Sequence, residues 1–258
     1  MRRALILLLA LIGCGAQGPA LAERLVVSLS NHQVLVLSNF VGEDLVLFGT
    51  IEPDAQTTAR ASGYDLVVTV TGPRETLRTR RKERVLGLWV NVDSREFVRV
   101  PSYLAVLSNR PVGQIAASET LRRLQLGLDN FLLTQRVGFD LADTVPGDPF
   151  RTAFVRLETQ AGRYSELASA VRFLTPSVFR AAIPLPADAP VGSYTVDVKL
   201  LADGALVGRA NSELSVSKAG IEQYLAEAAR NSGLLYGLAT TLMALLTGWI
   251  ASIVFRRD

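Results

Sequence analysis

From residue 23 to 109, apolar and polar positions alternate in short runs separated by turn residues, the two-residue period of half-buried strands. Residues 25–29 and 34–37 flank the polar break Ser30-Asn31-His32-Gln33, which predicts a hairpin. Residues 44–51 follow Phe40-Val41-Gly42, a strand-entry bend, and the β-branched run 65–71 ends at Gly72-Pro73. Residues 76–84, 85–91, 97–100 and 103–107 continue the series. Strands at this spacing with turns between them predict a sandwich or barrel rather than a parallel sheet.

The period changes in the middle of the chain. Ser118 is placed to cap a helix running to Leu126, with Gly127 closing it, and Asp148-Pro149 opens a second helix over 150–160. Turn chemistry fills 143–149, so 113–168 reads as a helical insertion. Strands then return over 170–174, 178–183, 194–201 and 205–216, the last broken near Arg209, with Asp203-Gly204 as a hairpin turn. Gly192-Ser193-Tyr194 resembles the corner of immunoglobulin-like domains. There a tyrosine opens a strand and a core residue sits two positions later, here Val196.

The two ends are apolar in a different way. Arg2 and Arg3 precede an apolar core over 4–12, and Ala20-Leu21-Ala22 supplies a cleavage site, the layout of a secretory signal over 1–22. Leu11-Ile12-Gly13-Cys14 leaves a second reading open, in which Cys14 is lipidated and becomes the mature N-terminus. An amphipathic helix over 221–230, within a juxtamembrane segment 219–232, leads to residues 233–255, which carry no charge. That length predicts a membrane-spanning helix, with Tyr236 and Trp249 towards its ends and Arg256-Arg257 marking a cytoplasmic tail, 256–258. The expected fold is therefore mainly β: an immunoglobulin-like β-sandwich outside the membrane, formed by 23–112 and 169–218 as one domain or two, with a helical insertion and one C-terminal transmembrane helix. The expected location is the inner membrane, single-pass, with most of the chain in the periplasm.

Composition narrows the chemistry. The net charge of +3 includes Arg2 and Arg3, so the chain after the signal is close to neutral and its basic pI gives no reason to expect nucleic acid. Cys14 is the only cysteine and His32 the only histidine. A Cys/His metal site is excluded, and few routes to nucleophilic catalysis remain. His32 falls in a turn, where a catalytic base with a nearby serine is the unfavoured reading. No Gly-rich phosphate loop, paired catalytic carboxylates or calcium loop is legible, so no cofactor, metal or catalytic residue is assigned.

Two features could carry a function. In the run Arg78-Thr79-Arg80-Arg81-Lys82-Glu83-Arg84, strand alternation puts Arg78, Arg80, Lys82 and Arg84 on one face. With Arg81 they form a candidate contact for an anion or an acidic partner; a solvated face, or an edge strand protected by charge, is the plainer reading. In the C-terminal helix, Gly237, Thr241, Ala244, Gly248 and Ser252 fall on one side, where small residues would let a partner helix or a second copy pack closely. Trp89, between Leu88 and Val90, reads as core.

The strings SNFVGEDLVLFG (38–49), TRRKERVLGLWVN (79–91), PSYLAVLSNRP (101–111), FRAAIPLPADAPVGSYTVDVKL (179–200) and GLLYGLATTLMALLTGW (233–249) resemble an alphaproteobacterial family of putative transmembrane proteins of unknown function. The resemblance covers nearly the whole mature chain and brings no catalytic residues. It implies a neighbourhood beside TauE/SafE-type permeases, hence an integral membrane permease as partner. The expectation is a non-enzymatic, membrane-anchored periplasmic accessory protein beside a sulfite- or organosulfonate-type exporter. The alternative is a periplasmic module that binds or senses a small anion.

Overall fold

The structure is a computed structural model in which residues 23–37, 40–53, 63–218, 229–230 and 232–254 are described. The signal with Cys14, most of the helix expected over 221–230, and the tail 256–258 lie outside the described residues. The described chain is mainly β and forms three sheets.

The first sheet holds β1 (Glu23–Leu29), β3 (Glu43–Pro53), β12 (Val178–Leu185) and β11 (Val171–Phe173), in the order β1-β3-β12-β11 and antiparallel throughout. The second holds β10 (Tyr164–Ala168), β7 (Leu104–Ser108), β4 (Asp65–Thr71), β13 (Gly192–Ala202), β14 (Ala205–Lys218) and β2 (Gln33–Val36), in that order. Its two outer pairs, β10 with β7 and β14 with β2, are parallel. The orders β1-β3-β12-β11 and β4-β13-β14 are the ABED and CFG orders of immunoglobulin-type sandwiches.

These two layers close over one apolar core. Leu25, Leu29, Leu45, Leu47, Ile51, Phe179, Ala181 and Ile183 come from the first sheet, and Leu66, Val68, Val70, Val196, Val198 and Leu200 face them from the second. Alternation decides the register, since shifting a strand by one residue would carry its apolar set out of the core. Gly49 is required by packing: a Cβ there would lie 2.2 Å from the Phe179 ring. Tyr194 donates to the Pro190 carbonyl at 2.6 Å and Val196 is fully buried, so the corner motif forms.

The break at Ser30–His32 is no hairpin. β1 pairs with β3 while β2 pairs with β14, so the chain crosses from one layer to the other there. Leu25 and Leu29 can then face the core from one side and Val34 from the other, burial that a local hairpin would not give.

The stretch 113–168 contains α1 (Ser118–Arg123), β8 (Thr134–Val137), β9 (Asp140–Asp143), α2 (Pro149–Gln160) and β10. Asp148 caps α2 by accepting from the backbone N–H groups of Phe150 at 2.8 Å and Arg151 at 3.3 Å. α1 is shorter than expected, and Ala117 rather than Ser118 occupies its N-cap. A second core joins α2 to the third sheet through Phe97, Phe131, Phe150, Phe154 and Tyr164. The buried Arg151 donates to the carbonyls of Asp129 and Phe131 and stacks over the Phe131 ring, tying the 129–131 turn to the helix.

The structure corrects the membrane-spanning helix expected over 233–255. A helix, α3, does form over Gly233–Val254. Among the described residues, however, no helix is long and apolar enough to cross a membrane. The single-pass topology expected from that span is not supported by the described residues.

Candidate functional site

The third sheet is where the basic run lies. It consists of β5 (Arg74–Val85), β6 (Leu88–Pro101), β8 and β9, in the order β5-β6-β8-β9. β5 and β6 form one long hairpin whose base packs against α2 and the second core through Leu77 and Phe97. Further out every residue from Arg80 to Ser94 is exposed. Arg78, Arg80, Lys82 and Arg84 occupy one face of β5, opposite Glu96, Ser94, Asn91 and Trp89 of β6. The β6 bulge at the Arg81/Lys82 step adds a residue to β6 and leaves the β5 alternation intact.

The charges on this face are not equivalent. Arg78 bonds Glu96 at 2.8 Å, and Arg136 of β8 reaches the same carboxylate at 3.0 Å. The hydrogen bond from Arg78, with Arg136 adding to it, holds the Glu96 carboxyl below the usual carboxylate range. Arg81 pairs with Glu83 on the opposite face at 3.2 Å. Among the described residues Arg84 donates to the Gly87 carbonyl, at 3.4 Å, and makes no ion pair. Arg80 and Lys82 have no ion pair among the described residues. The strip therefore presents Arg80, Lys82 and Arg84 outward, anchored at its base by Arg78.

Trp89 corrects the sequence reading. It is 70% exposed at the hairpin end, not core. Sequence reasoning missed this because the apolar run 85–90 looks like an ordinary buried strand. The signal that could have found it is the basic run directly before it, since a partner strand so charged cannot lie in a core. The turn is also unusual. Leu86 and Gly87 both have positive φ, as a two-residue turn of mirror type requires, but Leu is a poor residue for that conformation. Leu86 is also 99% exposed, so burial does not explain it. A separate turn, between β8 and β9 at Gly138-Phe139, also exposes a large apolar side chain, Phe139. The exposed Leu86, Leu88 and Trp89 at the hairpin end, edged by cations, have the character of a contact surface.

The other sequence candidates lie apart from this sheet. Gly237, Thr241, Ala244, Gly248 and Ser252 are exposed along α3, and a Cβ on Gly237 or Gly248 would meet nothing within 4 Å. The hydroxyls of Thr240, Thr241 and Thr247 bond carbonyls of their own helix. His32 is exposed in the β1–β2 crossing, and its carbonyl accepts from the Ser215 backbone N–H at 2.9 Å. Gly42 takes a positive φ, and a Cβ there would lie 2.8 Å from the Leu185 carbonyl oxygen.

A second polar constellation, which the sequence did not single out, lies on the outer face of β13. Asp197 accepts from Arg209 Nε at 2.8 Å and Nη2 at 3.1 Å, and from Lys199 Nζ. Burial acts to raise the Asp197 carboxyl, but the bonds from Arg209 and Lys199 outweigh it and hold its pKa low. The strand alternates Thr195, Asp197 and Lys199 against Tyr194, Val196 and Val198, which was the available signal.

The family description "putative transmembrane protein" (Alph_Pro_TM) matches residues 24–257, nearly the whole chain. The chain belongs to this family. The family's function is unknown, and its description marks the chain as a membrane protein at that level of detail. No curated protein matches the chain. Among solved structures, Spo0M, the sporulation control protein of Bacillus subtilis, is similar at 10% identity and a TM-score of 0.26, over 81% of this chain and 55% of that one. The N-terminal domain of the Streptococcus gordonii adhesin Sgo0707 is similar at 10% identity and a TM-score of 0.26, over 75% of this chain and 32% of that one. Likenesses this slight carry no argument for this family member.

Proposed function

We propose that the chain is a non-enzymatic accessory protein of the cell envelope, and that the outer end of the β5–β6 hairpin docks on an integral membrane protein of the permease type. Its β region would face the periplasmic side, a reading supported by the signal-like N-terminus and by the family's membrane character. One observation carries the proposal: Leu86 holds a conformation costly for leucine while exposing its whole side chain beside Trp89. Strain kept at an exposed position favours a contact made by that side chain over a role in folding. Tryptophan and arginine dominate protein contact energetics, and Arg80, Lys82 and Arg84 suit an acidic loop on the partner.

The test is site-specific photocrosslinking in the native membrane, with the reactive group at Leu86 or Trp89 and the product identified by mass spectrometry. A polytopic membrane protein captured from both positions, and not from an exposed control such as Leu174 on the sandwich, is the expected result. Capture equal at all three positions, or crosslinks to lipid alone, would overturn the reading.

A further inference from the structure

We propose that the cleft over the outer face of β4, β13 and β14 binds a small molecule through an oxyanion: a phosphate, sulfate or carboxylate group. The cleft is about 540 Å³, a size for a small ligand rather than for a protein segment. Its walls come from parts of the chain far apart in sequence: the three strands, the base of the β5–β6 hairpin, and the end of α1 with the residues after it.

Charge decides the ligand class. Arg74, Arg123, Lys199 and Arg209 line the cleft, and Asp197 is the one carboxylate among its lining residues. Asp197 is already occupied by Arg209 and Lys199. Positive charge therefore remains in excess, and Arg123 has no ion pair among the described residues.

Donors decide the chemistry. Lys199 is only 7% exposed, and its ammonium carries three N–H donors. One goes to Asp197, and the others find no acceptor among the described residues. The Thr69 hydroxyl is buried with no partner. Thr69 and Lys199 line the same cleft, and Thr69 lies directly across from Asp197 in the β4–β13 register. Buried donors without acceptors cost free energy, and an oxyanion supplies several acceptor lone pairs at one point. A neutral sugar would bring further donors of its own and leave the charge excess unanswered. This site is separate from the hairpin end and independent of the docking reading.

The test uses the full chain and three probes, sodium phosphate, sodium sulfate and sodium acetate, against sodium chloride at matched ionic strength. Thermal unfolding and isothermal titration are the readouts. At a probe concentration well above Kd, the Tm should rise by several degrees for at least one oxyanion and not for chloride. Thr69→Val, nearly isosteric, should weaken binding about tenfold. Lys199→Met should abolish it, and the paired change Arg80→Gln with Lys82→Gln should leave it intact. If Lys199→Met does not fold, Thr69→Val still decides. No shift beyond chloride with any probe, a shift unchanged in Thr69→Val, or a shift lost in the Arg80/Lys82 variant would overturn the proposal. Loss of partner crosslinking at Leu86 would leave this result untouched, so the two proposals fail separately.

Discussion

The sandwich and the outer half of the third sheet are built from the same kind of alternating sequence, and they do opposite things with it. In β3, β4, β12 and β13 the apolar positions face a second layer and are buried. Among the described residues no second layer covers β5 and β6 beyond Thr79, so Val85, Leu88 and Val90 face solvent from one side of the hairpin and Trp89 from the other, beside the basic strip. Alternation specifies a strand with two unlike faces. Whether the apolar face becomes core depends on a partner layer, which is supplied from elsewhere in the sequence or by another molecule.

This difference explains what could be read in advance. Elements fixed by local chemistry were legible: the cap at Asp148, the Tyr194 corner, the turn at Asp203-Gly204 and most strands. What depended on distant partners was not. The β1–β2 hairpin reading failed because Val34 finds β14, beyond the reach of local pattern. Trp89 was misplaced because its hydrophobicity is local and its lack of a covering layer is not. The Asp197 cleft joins Thr69, Arg123, Lys199 and Arg209, residues that share no spacing motif. The candidate contact at the hairpin was half legible: the basic strip could be found from alternation, and its apolar end could not.

The comparison can be broken most forcefully in the sandwich. Phe179→Ala empties a fully buried ring site between β3 and β11 and should cost about 3–5 kcal/mol, read as a drop in the urea midpoint. Trp89→Ala, a larger truncation, should change stability by no more than about 0.5 kcal/mol because no cavity results. Similar losses for both would mean that Trp89 is packed after all.

A second substitution probes the sandwich without removing any side chain. Gly49→Ala adds one methyl group where the Phe179 ring already lies, so ring or strand must shift, at about 1–3 kcal/mol. Gly87→Ala in the hairpin turn meets nothing within 4 Å, so any cost there comes from its positive φ alone, about 1 kcal/mol. The double variant Gly49→Ala with Phe179→Leu sharpens the point. It should be more stable than the sum of its single changes predicts, because the smaller side chain vacates the space the new methyl needs. Strict additivity would show that the Gly49 requirement is conformational and not a matter of contact.

The smallest effect expected has the opposite sign, and it separates the two regions best. Leu86→Asn replaces a residue strained at positive φ with one that tolerates it and removes exposed apolar surface. It should stabilise the chain by up to about 1 kcal/mol, seen as a small rise in Tm. No substitution of a buried leucine by asparagine in the sandwich could do this, since each would bury an unpaired amide. If the hairpin end exists for its contact, the more stable Leu86→Asn protein should also lose the partner crosslink formed at Trp89. A sequence that keeps leucine there has then traded stability for a surface, as functional sites commonly do. If Leu86→Asn instead destabilises the fold, Leu86 supports the hairpin itself, and the case for a contact at that position falls.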